Sequence, residues 1–425
     1  MRAVALEGAD VPYPGPGVAP VADGSSIVIG SYREGVSFGD AGFVRGSGQF
    51  VAKLDQTGAW EWATTIDGGV MFKAVAAAPD GSAIVTGQAF GSDSLGSAGS
   101  LTSGPFVAKV DADGSWVWAT NAEGDSWSTG MGVTVLADGS AIITGNLLKS
   151  VLFGDVGTLT AMGISDPFVA KVDPDGTWVW ATGAFGSGHN SAVAVSAFED
   201  GSALVTGYFE EDELVFGDAA TLTSVGSGSG SQDIFVAKIG ADGEWLWASS
   251  TQGEGRDEIH GITALPDGSA ILSGIYRNGA SFGEAGNLEG AGVFVAEVDR
   301  SGRWVRITST DDHGFSRDVA VLDDGSAVIT GHFNRSIGFG EAGTLEALDG
   351  SSVFVAKIDR DGSWLWANKV DGPGDNYSGG VAALADGSLI LTGTFEDEVS
   401  FGHRETTLSG SGMFIAILNS DGTLR

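Results

Sequence analysis

The residues of this sequence best suited to binding or catalysis lie in loops that precede a recurring Asp-Gly turn. Four of them stand eleven residues before the Asp of their turn: Trp127, His189, His313 and Asp375. His189, His260 and His313 fall in three successive loops. Because histidine is a common metal ligand and proton carrier, a composite metal site is one interpretation. The interpretation we favour is a set of polar loops that contact a partner.

A second group consists of charged side chains that do not recur from loop to loop. Its members are Lys73, Asp257, His260, Arg317 and Asp318. A single asymmetric active site needs groups of this kind converging on one point. They are therefore the best candidates for a hydrolase-like or lactonase-like site, whereas Trp127 and Tyr377 are aromatic candidates for contacting a ligand.

A third group consists of carboxylates in a recurring Phe-Gly-Asp/Glu phrase: Asp40, Asp155, Asp218, Glu284 and Glu341. Clustered oxygen ligands suit Ca²⁺, so a calcium site is an alternative. One carboxylate per repeat, distant from its equivalents, favours the capping of a turn. The DADG-type segments at Asp111, Asp173 and Asp359 lead directly into a strand, which indicates turns rather than EF-hand loops.

Composition narrows the possible functions. Only 21 Lys and Arg stand against 55 Asp and Glu, which argues against nucleic acid as a partner. The chain has no Cys, no G-x-S-x-G elbow, no P-loop and no H-E-x-x-H. No apolar run is long enough to span a bilayer, so membrane insertion is not expected. The first residues do not resemble a signal peptide, so the protein is cytosolic unless an export signal precedes this sequence.

Two phrases, each present seven times in alternation, determine the expected fold. FVAK or a variant begins at Phe50, Phe106, Phe168, Phe235, Phe294, Phe354 and Phe414. DGSAIVTG or a variant begins at Asp23, Asp80, Asp138, Asp200, Asp267, Asp324 and Asp386. Asp-Gly between β-rich segments is a hairpin signal, and each repeat contains four such strands. We therefore predict an all-β, seven-bladed β-propeller with four-stranded antiparallel blades, forming one domain over residues 1–425.

Paired tryptophans and the chain ends support this architecture. Pairs such as Trp180 preceded by Trp178 share one face of a fourth strand, and should pack between blades. The fifth repeat departs from the pattern, with Arg306 following Trp304. Residues 1–30 align without a gap to residues 364–393. We expect residues 1–6 to complete the blade whose third strand begins at Phe414 and so to close the ring.

The combination FVAK-x-D-x-DG-x-W-x-WA, DGSAIVTG and FGDAGTL resembles the SBBP-type bacterial β-propeller repeats over essentially the whole chain. This resemblance implies the fold and an extracellular or cell-surface location, but no catalytic residues. The segments around Trp60 and Trp116 are also loosely similar to the tryptophan-docking repeat of quinoprotein dehydrogenases, which bind pyrroloquinoline quinone with calcium.

The lengths of the connections indicate where a ligand would bind. The first-to-second and third-to-fourth connections are short turns, while all others are long and lie at the opposite ends of the strands. Binding residues tend to lie on such loops. We expect a monomeric, non-catalytic recognition or scaffold protein for a glycan, peptide or protein, without a cofactor. An axial hydrolase or lactonase and a structural spacer remain the alternatives.

Overall fold

The computed structural model describes residues 3–10, 17–91, 93–210, 213–225, 230–402 and 406–425. The chain divides into two compact units. Unit 1 comprises Met1–Gly68, Gly292–Val295 and Thr308–Arg425, and unit 2 comprises Gly69–Ala291 and Ala296–Ile307. The described residues form β-strands and short 3₁₀ turns, with no α-helix. None of the helical segments in the described ranges has the length and apolar character needed to cross a membrane.

Unit 2 contains three four-stranded antiparallel sheets and one further hairpin. Sheet A consists of Val70–Ala77, Ala83–Ala89, Gly104–Val110 and Trp116–Asn121. Sheet B consists of Thr129–Val135, Ala141–Leu147, Asp166–Val172 and Trp178–Gly183. Sheet C consists of Ser191–Ala197, Ala203–Phe209, Asp233–Ile239 and Trp245–Ser250. The hairpin is Glu258–Ala264 with Ala270–Arg277, and the next strands, Ala291–Val298 and Trp304–Ser309, have residues in both units.

Unit 1 contains one six-stranded, one four-stranded and one five-stranded sheet. Sheet D consists of Gly314–Val321, Ala327–Gly338, Thr344–Ile358, Trp364–Asp371, Glu398–Phe401 and Thr406–Ser409. Sheet E consists of Tyr377–Ala383, Leu389–Phe395, Gly412–Leu418 and Ala3–Glu7. Sheet F consists of Ala9–Asp10, Val18–Pro20, Ser26–Tyr32, Gly48–Leu54 and Trp60–Asp67.

Small ribbons and 3₁₀ turns fill the second-to-third connections, and two ribbon strands, Glu123–Gly124 and Phe185–Gly186, join them from the connections between sheets. The ribbon strands are Val36–Ser37, Phe43–Val44, Asp93–Ser94, Ser100–Leu101, Glu123–Gly124, Ser150–Phe153, Gly157–Thr160, Phe185–Gly186, Glu213–Phe216, Ala220–Thr223, Ala280–Ser281 and Asn287–Leu288. The 3₁₀ turns are Gly39–Ala41, Gly96–Ala98, Gly154–Val156, Gly283–Ala285 and Gly340–Ala342. The Phe-Gly-Asp/Glu phrases therefore lie in turns, as the sequence indicated.

The recurring DGS phrase forms a self-contained turn at each first-to-second connection. In sheet C, Asp200 Oδ1 accepts the backbone N–H of Ser202 at 2.9 Å and also its hydroxyl, while Gly201 has φ +82°. The Ser202 hydroxyl bond is the main cause that lowers the pKa of Asp200. In the DADG-type turns, Asp111 Oδ1 likewise accepts the N–H of Ser115 at 2.8 Å. These carboxylates serve the turns, as the sequence predicted.

The VTG and FVAK phrases meet in the core of each sheet. Thr206 Oγ1 donates to the carbonyl oxygen of Phe235 at 2.7 Å, in a fully buried position. A Cβ on Gly207 would collide with the Ser191 carbonyl oxygen and would lie 2.8 Å from the Phe235 ring. The Thr–Phe bond recurs at three more sites: Thr86 with Phe106, Thr144 with Phe168, and Thr330 with Phe354. The repeated phrases are thus explained by packing.

The tryptophans of the fourth strands join neighbouring sheets within a unit, as predicted, although most remain partly exposed. Trp180 of sheet B donates Nε1–H to the Ala241 carbonyl of sheet C at 3.0 Å, and its ring covers Gly243. Trp245 of sheet C donates back to the Gly183 carbonyl of sheet B at 3.1 Å. Its ring meets the buried ring of Phe216 edge-on, with centroids 5.0 Å apart.

The N-terminal strand Ala3–Glu7 pairs antiparallel with Gly412–Leu418, the strand that begins around Phe414. Met1 and Arg2, which belong to the predicted strand, lie outside the described residues. The pairing differs by one residue from the ungapped alignment. Ala3 pairs with Ala416 just as Ala367 pairs with Ala356, so Ala3 is structurally equivalent to Ala367. In the alignment, Ala3 was instead equivalent to Trp366. A one-residue shift exchanges the two faces of a strand, and the observed register places Leu6 in the core.

Candidate functional site

A β-bulge interrupts the first strand of sheets A, B, C and D and of the unit 2 hairpin, and it releases one side chain from regular pairing. In the hairpin of unit 2, Ile259 pairs with Gly274 and Gly261 with Ser273, which leaves His260 as the bulged residue. Lys73, Met131 and Val193 occupy the same position in sheets A, B and C. These side chains are only partly buried. Bulges commonly redirect a side chain beside a functional site.

Unit 1 has the same bulge in sheet D, where Arg317 lies between the paired residues Ser316 and Asp318. Three charged residues singled out from the sequence, Lys73, His260 and Arg317, therefore occupy equivalent backbone positions. Each of these residues stands seven positions before the Asp of its DGS turn, so their equivalence was visible in the sequence. The bulge itself was not, because no residue type marks it.

Around His260, unit 2 forms a continuous polar network, which we call the Glu258 network. Glu258 Oε2 lies 3.7 Å from His260 Nε2, and Glu258 Oε1 lies 3.2 Å from Arg256 Nε. Arg256 Nε–H also donates to Gln232 Oε1 at 3.1 Å. Gln232 Nε2–H then donates to Glu210 Oε1 at 3.1 Å. A connected set of charged and amide groups of this kind can bind a polar ligand.

The electrostatics of the network keep Glu258 negatively charged. The neighbouring His260 imidazole is the main cause that lowers the pKa of Glu258, and the charges of Arg256 and Arg277 act in the same direction. Nearby, His189 stacks on Tyr208 with ring centroids 5.9 Å apart. Burial raises the pKa of Tyr208, so its hydroxyl stays protonated.

Asp257 directly precedes Glu258 in the chain but is not part of the Glu258 network. The carboxyl is fully buried, and its Oδ1 accepts the backbone N–H of Arg277 at 3.2 Å. Burial and the charge of Asp233 raise the pKa of Asp257 to about 7, with burial the larger cause. Of the sequence-predicted residues, His260 belongs to the Glu258 network and Asp257 directly precedes Glu258 in the chain. His189 stacks on Tyr208, whose pKa the charges of Arg256 and Glu258 influence.

Trp127 and Lys73 belong to other elements of unit 2. Trp127 precedes the first strand of sheet B and is 69 % exposed. Asp125 Oδ1 accepts its backbone N–H at 3.1 Å, while Asp125 Oδ2 pairs with Lys149 at 2.8 Å. This bond with Lys149 is the main cause that lowers the pKa of Asp125. Lys73 lies on the first strand of sheet A.

Unit 1 forms a separate aromatic cluster at the ends of sheets D and E. His332 stacks on Phe315 with centroids 4.8 Å apart, and meets Tyr377 edge-on at 5.0 Å. Tyr377 is 41 % exposed. Asp375 Oδ1 accepts the Ser351 N–H at 2.9 Å, so it supports the same corner. His313 lies exposed.

Asp318 connects sheets D and E within unit 1. Its Oδ2 accepts the Val381 N–H at 3.0 Å, and its Oδ1 accepts the Val319 N–H at 2.8 Å. Burial raises the pKa of Asp318 to about 6. These contacts give the carboxyl a structural role that its sequence position did not indicate.

The sequence reasoning missed Tyr208, Arg256, Glu258, Phe315 and His332. Tyr208 and His332 directly follow the Thr-Gly of the DGSAIVTG phrase, where the residue type varies between repeats. The varying residue type directly after the recurring phrase was the sequence signal that could have identified Tyr208 and His332.

The carboxylates considered for calcium lie exposed in turns of the second-to-third connections: Asp40, Asp155, Asp218, Glu284 and Glu341. In the 3₁₀ turns that contain Asp40, Asp155, Glu284 and Glu341, the N-cap residue is Phe, and it makes no side-chain capping bond. Within the described part of the chain, no group of three or more His, Asp or Glu side chains could hold a metal ion.

Comparison with known proteins identifies the class of fold. An uncharacterised WD repeat-containing protein of Acanthamoeba polyphaga mimivirus is 21 % identical over 367 residues. The match covers 69 % of this chain. The match covers 26 % of that protein, so this chain spans about a quarter of its curated relative. No family model matches the chain.

A solved structure agrees with this class. A catalytically inactive virginiamycin B lyase from Staphylococcus aureus, determined with quinupristin, superimposes with a TM-score of 0.50 at 8 % identity, covering 97 % of both chains. The Pan2 WD40 domain of Neurospora crassa gives 0.46 at 8 % identity, covering 98 % of this chain and 93 % of that one. The repeated four-stranded sheets, the WD-repeat relative and the lyase structure together identify the chain as a repeat protein with a β-propeller-type fold.

Proposed function

We propose that the protein is a non-catalytic recognition module that binds its ligand through the long connections. Trp127 carries this proposal. Of the 12 tryptophans, it alone stands outside the W-x-W pairs and the Trp304 position equivalent to them. Its large ring is 69 % exposed, while Asp125 fixes its backbone. Rigidly held, exposed aromatic side chains are frequent anchors of binding surfaces.

The neighbourhood of Trp127 favours a peptide or protein segment over a glycan. Lys149, paired with Asp125, accepts the Ala161 N–H through its carbonyl oxygen at 2.6 Å. The following residue, Met162, is 77 % exposed. An apolar ring, a flexible thioether and a charged pair along connected loops suit an amphipathic chain.

Peptide, protein and glycan arrays probed with the whole chain would identify the ligand. Trp127→Ala should weaken binding of the selected ligand at least tenfold. Leu246→Ala is the matched control, because Leu246 is 53 % exposed on a fourth strand between two packed tryptophans. Equal losses in the two variants, or binding that maps to the Asp-Gly turns, would contradict the proposal.

The Glu258 network supports a second candidate function, an enzyme of the hydrolase or lactonase type. A carboxylate 3.7 Å from an imidazole on a bulged strand is suited to general base catalysis. The similarity to a lyase structure agrees with a fold that can carry an active site. A panel of esters and lactones, with metal analysis of the purified protein, would test this. Turnover that His260→Gln and Glu258→Gln abolish would favour the enzyme.

We further propose a monomeric seven-bladed ring of the SBBP type, found outside the cell or at its surface. Seven copies of both phrases and the pairing of Ala3–Glu7 with Gly412–Leu418 support this arrangement. Titration of the purified chain with Ca²⁺ would test whether the Phe-Gly-Asp/Glu turns bind calcium. Electron microscopy of the purified chain should show rings with seven blades, and a different number would refute the proposal.

A further inference from the structure

Unit 2 contains two equivalent buried sites, which we call the first and second corner. They differ at one side-chain atom that is a hydrogen-bond donor in the first corner and an acceptor in the second. In the first corner, Asp166 begins the third strand of sheet B and Asn190 precedes the first strand of sheet C. Asn190 Nδ2–H donates to Asp166 Oδ1 at 3.0 Å, and Asn190 Oδ1 accepts the Glu210 N–H at 3.1 Å. Gly186 lies against both side chains and donates its N–H to Asp166 Oδ1 at 2.9 Å. Both side chains are buried.

The second corner repeats this arrangement one sheet later, with every residue 67 positions further along the chain. Asp233 replaces Asp166, Gly253 replaces Gly186, and Asp257 replaces Asn190. Asp257 Oδ1 accepts the Arg277 N–H at 3.2 Å, as Asn190 Oδ1 accepts that of Glu210. Asp257 Oδ2 therefore occupies the position of the donating Asn190 Nδ2.

The donor of the first corner has thus become an acceptor. Asp233 Oδ1 and Asp257 Oδ2 are the two oxygens that correspond to the Asn190–Asp166 hydrogen bond. Both are buried and have no hydrogen-bond partner. Asp233 Oδ2 accepts the Val225 N–H at 3.1 Å, and the Gly253 N–H and Ser224 hydroxyl also act to lower the pKa of Asp233. The charge of Asp233 in turn raises the pKa of Asp257, as expected for neighbouring carboxylates. Two buried carboxylates in such proximity cannot both ionise without a large cost.

We propose that Asp233 and Asp257 hold one proton between them, and that this proton makes the Glu258 network responsive to pH. Asp257 directly precedes Glu258 in the chain, so separation of the two carboxylates would displace the start of the strand that carries Glu258 and His260. Burial raises the pKa of both carboxyls, that of Asp257 to about 7, which agrees with the geometry. The pair therefore changes its charge near neutral pH.

Other charged groups surround the pair and must be separated from it experimentally. Glu254 and Arg256 lie on the same loop, Glu258 and His260 on the following strand, and Arg277 on the strand opposite. Glu210 approaches through Gln232. Because His260 can titrate in the same range, His260→Gln is needed as a background in which the response should persist.

The first corner supplies the matched variants. Asp257→Asn converts the second corner into the first, and Asn190→Asp converts the first into the second. The free energy of unfolding of the whole chain, measured in urea from pH 4.5 to 9, gives proton uptake from its slope. We expect Asp257→Asn to reduce the uptake on folding by about one proton between pH 5 and 7, and Asn190→Asp to increase it.

Hydrogen exchange provides a local readout. The amides of Gly253 and Arg277 should lose protection above pH 7 in the native protein but not in Asp257→Asn. An unchanged pH slope in Asp257→Asn would overturn the proposal. Stabilisation by Ca²⁺ or Na⁺ that requires Asp257 would overturn it too, because a cation and not a proton would then lie between the carboxylates. Neither result depends on whether Trp127 binds a ligand.

Discussion

Replacing Gly207 with alanine should destabilise sheet C far more than an ordinary glycine substitution. The new Cβ would collide with the Ser191 carbonyl oxygen and lie 2.8 Å from the Phe235 ring, closer than real Cβ contacts. Neither neighbour can move freely, because Ser191 is in a paired strand and Phe235 is fully buried. Overpacking of this kind costs about 3 kcal/mol. The gain of about 0.5–1 kcal/mol expected from Gly→Ala in a strand offsets only part of it.

The control is Gly91→Ala, because a Cβ at Gly91 meets nothing within 4 Å. Urea unfolding followed by tryptophan fluorescence and circular dichroism should show a lower midpoint for Gly207→Ala and none of this loss for Gly91→Ala. Coincident transitions from both probes would justify a single free energy. If the two variants differed by less than about 0.5 kcal/mol, the packing explanation of the Thr-Gly phrase would be wrong.

Three further predictions follow from the same contacts. Thr206→Val keeps the shape but removes the bond to Phe235, and should lower the free energy of unfolding by about 1.5 kcal/mol in urea titrations. Trp180→Phe removes the bond to Ala241, and calorimetry should show a loss of about 1 kcal/mol. Burial raises the pKa of Asp318 to about 6, so the folded state binds its proton more tightly than the unfolded chain does. Its contribution of about 3 kcal/mol is present below pH 4 and lost as pH rises to 6, and Asp318→Asn should remove that share of the slope.

Local signals in the sequence predicted the hairpins well, because Asp-Gly turns act over a few residues. Gly201 has the positive φ that its turn requires, and Asp200 bonds with Ser202 inside the same turn. The sequence predicted that the N-terminal strand completes the blade of Phe414, but the ungapped alignment differs by one residue from the observed pairing. An ungapped alignment cannot detect a shift inside a connection, whereas burial of Leu6 decides the pairing in three dimensions.

The candidate site was only partly predictable. His189 and His260 were found because histidine is rare here and chemically versatile. Tyr208 and Glu258 were missed because their importance comes from neighbours distant in sequence. Asp257 was selected as a possible catalytic group, yet its Oδ1 receives a backbone N–H in the same way as Asn190 does. Only the comparison of two corners in space reveals what distinguishes it.

The fold requires a bulge on these first strands but permits different residue types at the bulged position. Lys73, Met131, Val193 and His260 share one backbone position, yet differ in charge, length and polarity. The surrounding glycines, threonines and phenylalanines hold the sheets together without them. In each of these sheets, the side chain at the bulge can therefore be exchanged with little effect on the core. Single substitutions at this position are a route to new binding specificities.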